Sequence, residues 1–284
     1  MAAGGANQVP SVALSSGKPM PRVGLGTASA TLGQAEGRAA MAEAVLRALD
    51  AGYRHFDTAA VYCSEAALGD AVAEAVRAGR VASRDDLYVT SKLWVADAHP
   101  GRVLPALDKT LQNLQMEYVD LYLIHHPVSM RPSAAAAEGG PVVVKRDLMA
   151  MDMKGVWEEM EECHRRGLAK AIGVSNFSCK KLDHLLSFAN IPPAVNQVCI
   201  RWVYEQGDCV ITKSFNESRM RENLDIFDWE LTDDDHHKIS CLPESRGNYD
   251  FFVHESGPYR TADEFWDGEI TAGHCYQTAL VSSD

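Results

Sequence analysis

The sequence predicts an α/β fold whose mostly parallel strands close into a (β/α)8 barrel, and three observations lead there. Strand-like runs alternate with helical stretches, the order that right-handed strand–helix–strand crossovers produce. The strands end in polar pairs, DT, SK, HH, SN, NQ and KS, which a barrel gathers at one mouth. An open doubly wound sheet would place its ligand at a switch point instead, and the glycines of VGLGT do not form its GxGxxG loop.

The elements follow in order. SVALSSGKPMPRVG begins as a hairpin, with Gly17 and Pro19 in its turn, and VGLGT (23–27) opens the main sheet. Residues 38–51 carry Met41, Val45, Ala48 and Leu49 at helical spacing, and Gly52 stops that helix. HFDTA (55–59), DLYVTSKLW (86–94) and YVDLYLIHH (118–126) are the next strands, with helices over 65–78 and 102–114 between them. A stretch rich in Ala, Gly and Pro, 131–142, reads as an exposed loop. Residues 152–166 form the clearest helix, with Val156, Met160 and Cys163 on one face. AKAIGVSNF (169–177), a helix over 180–189 and a strand over 194–198 complete this run. The strand then passes into CIRWVYEQG without a turn, and the next strand, 208–212, follows at once. A parallel crossover takes about a dozen residues including its helix, so 199–207 holds one short helix at most. Seven strands result where the barrel uses eight, and closure depends jointly on strand number, tilt and shear.

The chain has 284 residues, 46% of them apolar and 23% charged, enough for one large α/β domain or two smaller ones. A formal charge of −12 disfavours non-specific nucleic-acid binding. No stretch suggests a membrane span, and MAAGGANQVPSVALSSG lacks the basic start and apolar core of a secretory signal, so a cytoplasmic protein is expected. The seven cysteines are odd in number and form no CxxC pair, which predicts reduced thiols. No metal site is expected, because the histidines are scattered and HExxH is absent.

Four residues at consecutive strand ends or their loops could share chemistry: Asp57, Tyr62, Lys92 and His125. Singly each has an ordinary reading, as a cap, a packed ring, a solvated charge or a satisfied polar group. Together they could deliver a proton. A phenol with pKa near 10 is a weak acid at neutral pH, a nearby ammonium lowers that value, and a carboxylate can hold the ammonium. A neutral histidine can orient a carbonyl while hydride from a nicotinamide reaches its carbon.

These residues resemble the catalytic tetrad of the aldo-keto reductases, (β/α)8 barrels that use NADPH without a Rossmann domain. The resemblance implies Tyr62 as the acid, Lys92 and Asp57 as its tuning pair, and His125 as the group that positions the carbonyl. It makes Ser175 and Asn176 of VSNF, with Gln197 of VNQ, a clamp on the nicotinamide amide, and places Thr27 and Asp57 near that ring. KSFNESRMREN resembles the grip on the 2′-phosphate, through Lys213, Ser214, Arg219, Glu222 and Asn223. Arg supplies a bidentate fork for phosphate and Lys a point charge. Trp94, His125 and His126 would border the substrate.

WEEMEECHRRGLAKAIGVSNFSCKKL and YRTADEFWDGEI narrow the resemblance to plant reductases that include deoxymugineic acid synthase, which reduces a 3″-keto acid in phytosiderophore synthesis. Others in that wider group reduce polyketide or alkaloid ketones, and a sugar aldehyde is a further alternative. A monomer acting on a small carbonyl compound is implied. In this family VNQ is followed by a helix, a strand near AYSPLG whose tyrosine stacks on the nicotinamide, and a loop over the cofactor. Here Val198 joins Cys199 directly, omitting roughly sixty residues and one βα unit in the strand 7 region. A non-catalytic barrel that binds NADPH or a partner is therefore the competing reading. Cys63 stands where the family commonly has Gly, and His126 where it commonly has Trp. One barrel domain over 1–270 is expected, with 271–284 as a loose tail and the loop at 249–259 shaping the pocket.

Overall fold

A short antiparallel hairpin, β1 (Ser11–Val12) with β2 (Met20–Pro21), precedes the main sheet and pairs Val12 with Met20. This is a computed structural model, and it describes residues 9–14, 18–28, 35–131, 143, 145–195, 209–227, 230–233, 236, 237 and 250–268. In chain order β3 (Val23–Gly26), α1 (Ala35–Ala51), β4 (His55–Asp57), α2 (Glu65–Arg77), β5 (Tyr88–Leu93), α3 (Val103–Leu114) and β6 (Val119–Ile124) alternate regularly. A two-residue pair, β7 (Ser129–Met130) with β8 (Leu148–Met149), lies beyond β6. Alternation resumes with α4 (Met153–Arg165), β9 (Ala169–Val174), α5 (Cys179–Leu186), β10 (Val210–Thr212) and α6 (Glu217–Leu224), and α7 (Ala262–Phe265) lies near the end.

The main sheet runs β10-β3-β4-β5-β6-β9, and every pairing in it is parallel. The late strand β10 lies beside β3, the first strand of the sheet, which is the closing order of a barrel. Past β9, Ala194 N–H donates to Ile172 O and Val174 N–H to Val195 O, so 194–195 extends the sheet by one more chain segment. Residues 196–208, with Gln197 and the abrupt junction, lie outside the described residues, as do the 132–142 loop and the 269–284 tail.

Local chemistry sets the helix boundaries. Asp152, Ser178 and Asn216 cap α4, α5 and α6 by accepting from Gly155, Lys181 and Arg219 backbone N–H groups, each replacing a partner the first turn lacks. Gly167, at φ +74°, ends the α4 region in a conformation that a Cβ disfavours.

Side chains alternate across each strand, and β5 shows the consequence. Val89 and Leu93 join the apolar layer between sheet and helices, with Phe56, Leu68, Leu107, Tyr122 and Trp157. Tyr88 packs with Met20, Leu121, Leu123 and Ala171 in a second cluster that fills the ring interior. Ala194, Val195 and Cys209 pack on that same cluster, so both ends of the described arc rest on one apolar plug, with the hairpin residue Met20 in it. Further along β5, Thr90 bonds His55 and Lys92 bonds Asp57, so the interior becomes polar toward the C-terminal strand ends. Small residues make room there: a Cβ on Gly24 would stand 2.6 Å from Ile211 Cδ1 and 2.9 Å from the His55 ring.

Cys63, Cys163 and Cys209 are free thiols. Cys179 is disulfide-bonded, which corrects the expectation of reduced thiols throughout. Among the described residues no helix is long and apolar enough to cross a membrane.

Candidate active site

The polar strand ends assemble into one buried constellation. Asp57 ends β4, and its Oδ1 accepts from Lys92 Nζ on β5 at 2.6 Å. Lys92 also donates to Thr58 O at 3.1 Å. Both side chains of the pair are almost fully buried, 6% and 3% exposed. Their mutual attraction offsets the desolvation that would make either charge alone unfavourable here. Asp57 Oδ2 is buried with no hydrogen-bond partner.

Tyr62 closes a short 3-10 turn, Ala60–Tyr62, and its hydroxyl lies 3.3 Å from His125 Nε2. Lys92 Nζ sits 5.1 Å from the centre of the Tyr62 ring. Burial pushes the phenol above the ordinary tyrosine value; the Lys92 ammonium pulls it down and Asp57 pushes it up. The ammonium alone predicts a lowered phenol, and burial reverses that sign. Burial likewise holds His125 well below the ordinary histidine value, with His126 and Lys92 adding to the effect, so the ring is neutral near pH 7.

The loop carrying Tyr62 is pinned through Thr27 by three residues the sequence reading did not single out, Thr58, Ser64 and Glu65. Thr27 donates its hydroxyl to Asp57 O at 3.0 Å, so at the 2.7 Å contact with Ser64 Oγ it must accept. Ser64 therefore accepts from Thr58 across another 2.7 Å contact. The result is a directed chain, Thr58 to Ser64 to Thr27 to Asp57 O, that ties the ends of β3 and β4 to the turn. Glu65, next in sequence and buried, accepts from Ser91 of β5 at 2.8 Å and Asn113 of α3 at 2.9 Å. Two polar residues, Ser64 and Glu65, two and three positions after a tyrosine were the available signal. Between Tyr62 and Ser64, Cys63 adopts φ +55°, the physical reason a glycine suits this position.

An aromatic wall continues from His125. Its ring stacks on His126 at 4.6 Å between centroids, Trp94 meets both edge-on at 5.4 and 5.9 Å, and Phe252 lies 4.2 Å from His126. Phe252 belongs to the C-terminal segment expected to shape the pocket. That segment is fixed by Tyr259, whose hydroxyl donates to Pro127 O at 3.1 Å, and by Asp267, which accepts from Lys181 at 2.6 Å.

Asn176, at φ +61°, donates its amide N–H groups to His125 O at 2.9 Å and Ser175 Oγ at 3.0 Å. Lys213, Ser214 and Arg219 line an open depression of about 450 Å³, together with Phe215 and Asn216. Glu222 and Asn223 lie outside that lining: Glu222 accepts from Ser218, and Asn223 bonds the Tyr53 phenol. Glu222 and Asn223 lie one helical turn beyond Arg219 on α6.

Residues 22–198 match the profile of the Aldo/keto reductase family. The chain belongs to that family. Among aldo-keto reductases, deoxymugineic acid synthase 1-A of Triticum aestivum is 49% identical over 312 aligned residues, covering 88% of this chain and 97% of the wheat protein. NADPH-dependent codeinone reductase 1-4 of Papaver somniferum is 44% identical over 322 residues, covering 92% and 98%. A crystal structure of a Bombyx mori aldo-keto reductase in complex with NADP superposes with a TM-score of 0.71 at 29% identity, covering 82% of this chain and 92% of that one. Since 88% of 284 residues is about 250, about sixty of the 312 positions aligned with the wheat reductase have no counterpart here.

Proposed function

We infer that this aldo-keto reductase uses NADPH to reduce a ketone or aldehyde, with a keto acid of the kind implied for deoxymugineic acid synthase as its favoured substrate. The observation that carries this reading is the buried Lys92–Asp57 pair beneath Tyr62, whose hydroxyl meets neutral His125. Bound NADPH would supply the hydride. Tyr62 would hold the proton given to the carbonyl oxygen, and Lys92 would balance the phenolate left behind. Asp57 keeps the ammonium in place, and His125 orients the carbonyl by a hydrogen bond.

The residues present fit the cofactor. Lys213 and Arg219 are exposed, form no ion pair with a described residue, and border the depression beside the α6 N-terminus. That combination suits a phosphate dianion. Ser175, Asn176 and Gln197 are proposed to hold the nicotinamide amide. Thr27 takes part through its place at the end of β3, since its hydroxyl is engaged in the scaffold. The proposed unit is one barrel over 1–270 that acts as a cytoplasmic monomer, with 271–284 as its tail.

A second reading, NADPH binding without turnover, is favoured by the sixty or so positions of the wheat relative that this chain lacks. We place that omission after Gln197, and the family match also stops at 198. NADPH titration of the monodisperse chain, followed by tryptophan fluorescence, tests the cofactor site. Consumption of NADPH with a keto acid then separates the two readings. Saturable binding with turnover supports the reductase, saturable binding alone supports the second reading, and no binding defeats both.

A further inference from the structure

The Tyr53 phenol takes no part in the chemistry above, yet its bonds converge on the two elements that carry Lys213 and Arg219. Tyr53 follows Gly52, whose φ of +109° ends the α1 region, and its side chain is fully buried. The hydroxyl lies 3.1 Å from Thr212 Oγ1 at the end of β10 and donates to Met220 O in α6 across 3.3 Å. The Asn223 side chain bonds the same phenol, and Thr212 Oγ1 also donates to Gly24 O of β3 at 3.3 Å. Thr212 immediately precedes Lys213, and Met220 immediately follows Arg219. One buried oxygen therefore touches the chain on both sides of the depression that Lys213 and Arg219 border. Inside that segment Ser214 Oγ accepts from Asn216 N–H, and Asn216 caps α6 by accepting from Arg219 N–H. Those bonds shape the turn, and Tyr53 ties its two ends to each other and to the barrel. Met220 and Leu224 of α6 share the main apolar layer with Tyr53, which keeps water away from these bonds.

Two cations hold one phosphate best at a matched separation, because Arg must align its fork while Lys acts as a point charge. We propose that Tyr53 is a positioning residue for the 2′-phosphate grip: its phenol fixes Lys213 and Arg219 relative to each other and so sets the preference of this chain for NADPH over NADH. With no exposed surface, Tyr53 touches no nucleotide and acts through the backbone that carries the two cations. The inference rests on the NADPH reading of the depression and names the residue that shapes it.

The test is the ratio of the dissociation constants of NADH and NADPH, measured by isothermal titration calorimetry with no carbonyl compound present. NADH lacks the 2′-phosphate and shares the rest of the cofactor, so effects through Asn223 or at the nicotinamide end cancel in the ratio. Tyr53→Phe is expected to lower the ratio about 10-fold, near the lower end of what losing one hydrogen bond to a charged group costs. Thr212→Val is expected to do the same, whereas Thr212→Ser keeps the hydroxyl and should retain the native ratio. The double variant of Tyr53→Phe with Thr212→Val should fall little further than either alone, since both cut one tether. Tyr122→Phe removes another buried phenol, one on β6 with no hydrogen-bond partner, and should leave the ratio unchanged. An unchanged ratio in Tyr53→Phe, or an equal fall in Tyr122→Phe, overturns the proposal. If Tyr53→Phe does not fold, the contrast between Thr212→Val and Thr212→Ser decides it in the same way. A native chain that binds neither nucleotide, or both equally, defeats the NADPH reading itself and the proposal with it.

Discussion

At the scale of single residues, the site depends on one buried ion pair and on two rings whose protons burial controls. Lys92→Met would leave Asp57 charged, buried and without its cation. The expected loss is about 3–5 kcal/mol of stability, measured by urea unfolding, and the double variant with Asp57→Leu should lose less than the sum of the two single changes. The pH dependence of reduction follows from the directions of the shifts. Tyr62 must be protonated to donate, and burial raises its value, so the loss of rate at high pH moves above the ordinary value of about 10. His125 must be neutral to accept its place beside the phenol, and burial lowers its value, so the loss at low pH moves below about 6.5. The expected profile of kcat/KM is therefore flat across the neutral range. A bell centred near pH 7 would show that neither residue governs the step. The four catalytic candidates were legible in the sequence because each sits at a strand end or its loop, where the polar pairs DT, SK and HH mark the mouth. The sign at Tyr62 was not legible, because spacing reveals a neighbouring charge but not the burial that outweighs it.

At the scale of elements, position is transmitted by hydroxyl groups rather than by the catalytic side chains themselves. The Thr58–Ser64–Thr27 chain fixes the turn that presents Tyr62, and Glu65 anchors the start of α2 to β5 and α3. Ser64→Ala removes a donor for Thr27 and an acceptor for Thr58 at a site with no access to water. A loss of about 1–3 kcal/mol is expected in thermal or denaturant unfolding. Looser placement of Tyr62 should also lower kcat, by up to roughly 100-fold if the phenol shifts by about 1 Å. A kcat within twofold of the native value would show that the turn is held by other contacts. Helical periodicity made α1 to α5 readable to within a few residues, since each buries one apolar stripe. The late KSFNESRMREN cluster was readable as a cofactor grip only through the family resemblance. Lys213, Ser214 and Arg219 border one depression, and Glu222 and Asn223 follow Arg219 one turn along α6.

At the scale of the whole molecule, the alternation of strands and helices was enough to predict the parallel order, because few connections satisfy right-handed crossovers. The meeting of Ala194, Val195 and Cys209 on the interior cluster was hidden, since it depends on contacts far apart in sequence. The same interior makes the fold sensitive to acid. His55, His125 and His126 are all held below the ordinary histidine value by burial, His126 down to about 3. In its neutral form the His55 ring donates from Nδ1 to Pro21 O, 3.1 Å away, and accepts at Nε2 from the Thr90 hydroxyl 3.0 Å away. In the unfolded chain the three rings take up protons below about pH 6.5, while the folded chain refuses them until lower pH. The unfolded state then binds more protons, so stability is full above that pH and falls as pH drops through it. Each ring contributes up to about 1.4 kcal/mol per pH unit, so three together reach about 4 kcal/mol per unit where all are shifted. Urea midpoints measured from pH 7.5 to 5 should fall steeply below about 6.5. His126→Phe should flatten the slope by about one proton, because it removes one of the three rings that folding keeps neutral. A slope unchanged by that substitution would mean that His126 already takes its proton in the folded barrel, and the acid sensitivity would have to come from elsewhere.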